Sequence, residues 1–348
     1  MKKGFKVLFI VSCILVIVGL SISIVSLSFG AATITDELLS AVDNVLSFVG
    51  SDFYDPPRDF DGTIAAEPGS DHMVSVDLES DEPIGIDPGT IRAIKIEWIA
   101  GDVIVTGGAP EFLIEESGNS EYKTVCTLKE GVLHIKYRES MGKVSIGSLS
   151  EHKDIAIRLP PSVSERLDYI SVSGASSDLD FANLTVGKIK TDTASGKCVM
   201  FAVNANQFSA DTASGAIDIH GTFGSAECNT ASGKITAEGS FGEFSAGTAS
   251  GGISASGTFN ELDADSASGK VELYLENSPY EVDVSTASGS VDITVPYDSS
   301  LTLEFDSGSG KLISDYASGK GRHMIGSPGS KSEFEIETAS GNLNFNMM

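Results

Sequence analysis

The sequence predicts an all-β fold: a β-solenoid, or β-helix-like, stack of coils of about 18–20 residues, preceded by an N-terminal transmembrane helix. Three observations predict it. The tripeptide Ala-Ser-Gly recurs at a nearly fixed period between Ile170 and Phe345. Apolar and polar residues alternate at period two from Ile91 onward, the signature of half-buried strands. No helical periodicity appears between residues 91 and 348. A two-sheet β-sandwich is the alternative arrangement of the same strands.

Alignment on the serine of each unit gives Ser176, Ser195, Ser214, Ser232, Ser250, Ser268, Ser288, Ser309 and Ser340, spaced 19, 19, 18, 18, 18, 20, 21 and 31 residues. The residue three after each serine is apolar, from Leu179 and Cys198 through Ile217, Ile235 and Ile253 to Leu343. The residue six before is apolar too, from Ile170 and Ile189 to Phe334. Each unit therefore reads as two short strands with alternate side chains inward. The inward set lies at even offsets before the serine and odd offsets after it, so a bend must sit at Ala-Ser-Gly. Glycine there is expected to supply a positive φ, and the small residues to let equivalent bends stack. One unit of 18 residues cannot bury its own apolar face, so units must stack, and nine coils at about 4.8 Å give a rod of roughly 40 Å. The long last interval implies an excursion near 316–330 that covers the open end.

Before the repeats, residues 91–165 form an N-terminal β section. Ile94, Ile96 and Trp98 alternate, Val103 and Val105 follow Gly101-Asp102, and further strands are expected at 111–115, 121–128, 131–137 and 153–159, with Pro160-Pro161 closing the section. Repeats then occupy 166–348. Upstream, residues 51–90 hold Pro56, Pro57, Pro68, Pro83 and Pro88 among acids and glycines and read as an extended stalk. Residues 31–50 place Ile34, Leu38, Val42, Val45, Leu46 and Val49 on one helical stripe behind Thr35 and Asp36, an amphipathic helix.

Residues 1–30 carry Lys2, Lys3 and Lys6 and no acid, and Val7 to Phe29 is an uncharged run. At about 1.5 Å per residue it spans roughly 35 Å, enough for a bilayer core. Lysines before it and acids after it place the N-terminus in the cytoplasm and the β domain outside the cell, as a single-pass cell-membrane protein. Gly30-Ala31-Ala32 offers an alternative cleavage site, and Ile10-Val11-Ser12-Cys13 an imperfect lipobox.

The net charge is −26, and 37 residues are glycine. With +3 in residues 1–30, the remainder carries −29. So acidic a chain lacks the basic footprint of a nucleic-acid binder. Four cysteines are too few for a disulfide scaffold, and Cys198 and Cys228 fall on inward positions as core thiols. No catalytic, cofactor-binding or metal-binding residues emerge. Carboxylates are plentiful but unclustered, and His72, His134, His152, His220 and His323 show no metal-ligand spacing. Gly308-Ser309-Gly310 belongs to the repeat rather than to a nucleophile elbow. Two ladders invite a binding reading. Thr193, Thr212, Thr230, Thr248, Thr286 and Thr338 align two before the serine; turn-satisfying hydroxyls are expected there, rather than an ice-binding face. Asp192, Asp211, Asp265, Asp306 and Glu337 align three before it, interrupted by Asn229, Gly247 and Ser285; a solvated face is expected, with calcium as the alternative.

The stretch Ile99-Ala100-Gly101-Asp102-Val103, the Leu159-Pro160 step, the Thr-Ala-Ser-Gly units such as Thr230–Gly233, and the closing Glu335-Ile336-Glu337-Thr338-Ala339-Ser340-Gly341 resemble the DUF4097 family over residues 91–348. That family comprises bacterial surface proteins described as adhesins with β-strand repeats. The resemblance implies a right-handed β-helix-like fold outside the membrane and a non-enzymatic interaction role. It also implies an alternative, since some relatives act in envelope-stress signalling and sense membrane-active peptides. Expected partners are the membrane, through the N-terminal helix, and a surface ligand: a glycan, a protein or a cationic peptide. No nucleic acid and no cofactor is expected. A carbohydrate-active β-helix enzyme is a third, weaker reading.

Overall fold

The computed structural model describes residues 87–118, 124–137, 152–327 and 329–348. The expected membrane helix over 1–30, the amphipathic helix over 31–50 and nearly all of the stalk over 51–90 lie outside the described residues. Among the described residues no helix is long and apolar enough to cross a membrane. The chain there is all-β, with 21 strands, a 3-10 turn at Pro88–Thr90 and a one-turn helix α1 at Pro161–Ser164. That turn corrects the expectation of no helix after residue 91. Pro160 is extended, Pro161 opens the helix, and Val163 is buried by it.

Four long strands carry the repeat: β10 (Cys198–Thr212), β11 (Ile217–Thr230), β12 (Ile235–Thr248) and β13 (Ile253–Ser266). Each begins as the second strand of one coil and runs on as the first strand of the next. They pair parallel and in register, so Cys198, Ile217, Ile235 and Ile253 face one another, as do Thr212, Thr230, Thr248 and Ser266. Register makes every apolar position a column. Phe223, Phe241 and Phe259 stack through the core with ring centroids 5.4 and 5.0 Å apart. Phe208 and Phe244 pack against this column at 5.7 and 5.8 Å.

The first-strand ladder runs β5 (Val132–Lys136), β1 (Ala93–Ala100), β7 (Tyr169–Ser176), β9 (Thr185–Thr193), β10, β11, β12, β13, β15 (Glu281–Thr286), β20 (Glu333–Thr338) and β17 (Leu301–Ser307), all parallel. The second-strand ladder runs β6 (Lys153–Leu159), β2 (Val103–Gly107), β8 (Leu179–Ala182), β10, β11, β12, β13, β14 (Val271–Leu275), β16 (Val291–Val295), β21 (Leu343–Met347) and β18 (Leu312–Ile313). The stack thus has eleven coils rather than nine, because the section over 91–165 supplies two of its own. Ten spacings of about 4.8 Å separate the first and last coils by roughly 48 Å.

Coil order departs from chain order at both ends. The chain enters in coil 2 (β1, β2), passes outward to coil 1 (β5, β6), then returns to coil 3 (β7, β8). At the other end it leaves coil 9 (β15, β16) for coil 11 (β17, β18) and finishes in coil 10 (β20, β21), between them. Neighbouring coils at the two ends are therefore not consecutive in the chain. Antiparallel strands close the ends: β4 (Val125–Lys129) on β5, β3 (Leu113–Gly118) on β6, and β19 (Gly321–Ile325) on β17. At the coil 1 end the fully buried Lys153 donates from Nζ to the Tyr137 carbonyl at 2.6 Å and lies over the Tyr137 and Trp98 rings at 4.3 and 5.2 Å. Glu116 stands 3.7 Å from the same ammonium, which supplies the buried charge with a counterion.

The role expected of the corner glycines is also corrected. Among the Ala-Ser-Gly corners no glycine has a left-handed φ; Gly239 and Gly257, at the opposite bend, have φ of +139° and +121°. What excludes a side chain is the coil before. A Cβ at Gly233, Gly251 or Gly269 would lie 1.8, 1.7 and 1.7 Å from the carbonyl oxygen of the preceding corner glycine.

Candidate functional site

The corner hydroxyls are structural. Thr193, Thr212, Thr230, Thr248 and Thr286 accept a hydrogen bond from the N–H of the glycine three residues on, at 2.8–3.3 Å, and Ser266 and Ser307 do the same in their coils. The threonines of this column are buried, so it presents no hydroxyl array to a ligand. Thr338 differs: its hydroxyl donates to the Gly341 carbonyl at 2.7 Å.

The acidic column lies on the outer face of the stack, and Asp211 in it is exposed to solvent. Asp211 lies between Asp192 and Asn229 on adjacent strands, and Asn229 Nδ2 donates to its Oδ1 at 3.1 Å. Partial desolvation by the neighbouring strands, then repulsion from Asp192, raises the Asp211 carboxyl to about 6, against the pull of the Asn229 hydrogen bond and with its surface still open to solvent. Cys126, Cys198 and Cys228 are free and buried, and burial raises all three thiols, so none is poised as a nucleophile.

Among the described residues the fold brings together a set of potential metal ligands that the spacing of histidines does not reveal. Asp102, His152 and Asp154 offer ligand atoms all within 4.8 Å of one another. His152 Nε2 is 2.8 Å from Asp154 Oδ1, which also accepts from the Asp102 N–H at 2.9 Å. Burial and then the charges of Asp154 and Asp178 raise the Asp102 carboxyl, and burial and Asp178 raise that of Asp180. Such oxygen and nitrogen donors could hold a divalent cation. The internal contacts already account for the arrangement without one. Residues some 50 positions apart meet here because β2 and β6 are neighbours.

Among the described residues a groove of about 590 Å³ lies on the outer face of the second-strand ladder. Its floor is set by register. One row is Ser254, Glu272, Asp292, Asn344 and Ile313; the adjacent row is Ser256, Tyr274, Thr294 and Asn346. These are the outward alternates of strands whose inward residues, such as Ile253, Val271, Leu273, Val291 and Ile293, form the core. Lys270 Nζ lies 2.5 Å from both Glu272 Oε1 and Asp292 Oδ2, and these carboxylates hold the ammonium well above its ordinary range. Asn344 Nδ2 donates to the other oxygen of Asp292. The alternation marked these positions as outward, but only the register shows which of them share a row.

The sequence model of the family described as Toastrack DUF4097 matches residues 91–346. No curated protein matches the chain. Two solved structures are similar to it. One is a "putative cell adhesion protein" from Clostridium sporogenes, at 13% identity and a TM-score of 0.19, covering 76% of this chain and 96% of that one. The other is a "putative adhesin" from Bacteroides fragilis, at 12% identity and a TM-score of 0.33, covering 74% of this chain and 92% of that one.

Proposed function

We propose a non-enzymatic surface-interaction role, of the adhesion kind, for this chain, which belongs to the Toastrack DUF4097 family. In this reading residues 1–30 anchor it in the cell membrane with the N-terminus cytoplasmic, residues 31–90 lead outward, and the β stack stands outside the cell. A right-handed winding is part of the same reading, since parallel crossover connections within one sheet take that hand in about 98% of cases. The observation that carries it is the joining of two features in one chain. An uncharged run, Val7 to Phe29, lies between lysines and acids, and a β stack follows whose outward side chains line up in continuous rows. Rows of that kind give a ligand a repeated surface without any catalytic group. The test is fractionation combined with protease treatment of intact cells, followed with an antibody to the β stack. The expected result is a membrane-bound protein digested from outside; recovery in the soluble cytoplasmic fraction would overturn the reading.

A second reading, capture of cationic peptides, is favoured by the acidic surface, where Asp102, Asp154, Asp178 and Asp180 crowd together within a chain of charge −26. Such a field draws cations over a distance set by salt. The full chain is then expected to bind polylysine at low ionic strength and release it as salt rises. Absence of binding at low salt removes this reading.

A further inference from the structure

We propose that the groove over coils 7 to 11 is a binding site for a neutral oligosaccharide running along the stack. The inference rests on the surface-interaction reading and names the ligand class of that surface.

The first observation is the state of the groove's charges. Two carboxylates line it, Glu272 and Asp292, and both are engaged by the single ammonium of Lys270, with Asn344 on the remaining oxygen of Asp292. Two carboxylates against one ammonium leave a net charge of −1, which disfavours an anionic ligand, and three of the four carboxylate oxygens are already engaged within the protein, which leaves little for a cationic ligand to pair with. The second is what lines the rest of it. Ser254, Ser256, Thr294 and Asn346 are hydroxyls and a carboxamide, groups that both donate and accept hydrogen bonds. Sugar hydroxyls have the same dual character, whereas a phosphate or a carboxylate would ask for donors alone. The third is an aromatic platform. Tyr274 is 49% exposed and stands between Ser256 and Thr294 in its row, and Ile313, 53% exposed, adds an apolar surface at the coil 11 end of the other row. An aromatic face with hydrogen-bonding groups around it suits a ring that is apolar on its C–H face and polar at its rim.

The direction follows from register. The Tyr274 row continues away from the groove through Ser256, Glu238 and His220 to Phe201, which is 62% exposed. Four coils at about 4.8 Å place this second exposed aromatic roughly 19 Å from the first. A linear chain lying across the strands meets a new side chain at every coil and an aromatic at each end of that interval.

The experiment is native gel electrophoresis of the full chain through gels containing dextran, mannan, galactan or β-1,3-glucan, with polylysine and heparin gels beside them. At least one neutral polysaccharide is expected to retard the protein. Tyr274→Ala should weaken that retardation about tenfold, Tyr274→Phe should keep most of it, and Asn346→Ala should weaken it several-fold. Tyr297→Ala, at a residue 73% exposed and outside the groove, should leave it unchanged. Melting temperatures of the variants confirm that each is folded. The proposal is overturned if no neutral polysaccharide retards the protein, if Tyr274→Ala is retarded like the parent, or if retardation occurs only with polylysine or heparin. Those failures are separable from failure of the surface role. External protease digestion with no polysaccharide binding removes only the groove; absence of external digestion removes the surface role itself.

Discussion

Gly251 and Thr248 sit in one corner and are fixed by different neighbours. Thr248 answers to its own coil, accepting from the Gly251 N–H at 3.0 Å. Gly251 answers to the coil before it, where the Gly233 carbonyl oxygen occupies the place of a side chain. Gly251→Ala is therefore expected to destabilise the protein by about 3 kcal/mol in denaturant unfolding, since a backbone cannot move aside as a flexible side chain can. Ser250→Ala, at an exposed position of the same corner, should stay within about 0.5 kcal/mol. Thr248→Val leaves a buried N–H without its acceptor and should cost about 1–3 kcal/mol, whereas Thr248→Ser should be mild, because Ser266 already serves coil 8 in that role. The hydroxyl's role was legible in the sequence because donor and acceptor lie three residues apart. The glycine's was not, because the atom that forbids a side chain belongs to a residue 18 positions earlier. Asp211 yields a pH test. Its folded value of about 6 lies above the unfolded 3.8, so the folded state holds a proton that the unfolded state has lost between those values. Its contribution to stability is present at low pH and is lost as pH rises through about 6. Asp211→Asn should raise the melting temperature slightly relative to wild type at pH 7, the effect being small because solvent screens this exposed side chain, and the advantage should shrink by pH 4.5.

At the scale of elements, alternation around each serine identified the inward residues, and Ile217, Ile235, Ile253 and Phe345 are all buried. The Phe223, Phe241 and Phe259 column was not singled out, because it lies nine residues after the serine, beyond the alternating run. Nor was the order of coils at the ends readable. Intervals of 21 and 31 residues suit a sequential stack as well as the one found. The difference lies in which edge is left to be covered. The antiparallel β19 closes β17 from outside, so the chain's last coil takes the slot inside it. This arrangement predicts the effect of truncation. Removing residues 331–348 deletes coil 10, and coil 11 then loses the strands on which β17 and β18 are laid. Amide hydrogen exchange at 301–313 should rise to the rate of an unstructured segment while β11 and β12 stay protected. A sequential stack would have kept 301–313 protected after the same cut. The groove's rows likewise exist only through the pairing of β13, β14, β16 and β21.

For the whole molecule, residues 91–348 carry −16 of the −26, and their acids recur in rows across paired strands, so like charges are held at coil spacing. Self-repulsion of this kind is screened by salt, whose Debye length falls from about 30 Å at 0.01 M to about 10 Å at 0.1 M. Melting temperature should accordingly rise between 0.01 and 0.5 M sodium chloride; a flat response would show that the rows do not repel one another. Net charge and its division between the N-terminal run and the rest were legible from composition. The internal pairing of the groove's charges was not, because it depends on Lys270 reaching two carboxylates on neighbouring strands.

The capped ends carry a consequence for how long such a protein can be. At each end of the described stack the outermost coil is capped by antiparallel strands, β3 and β4 on coil 1 and β19 on coil 11, so a unit added there would have to displace its cap. The middle is different. From Ser214 to Ser268 the units repeat every 18 residues with matching register, and an added unit of that size would meet neighbours like itself on both sides. The stack is in effect a ruler with fixed ends and an extensible centre, adjustable in steps of about 4.8 Å.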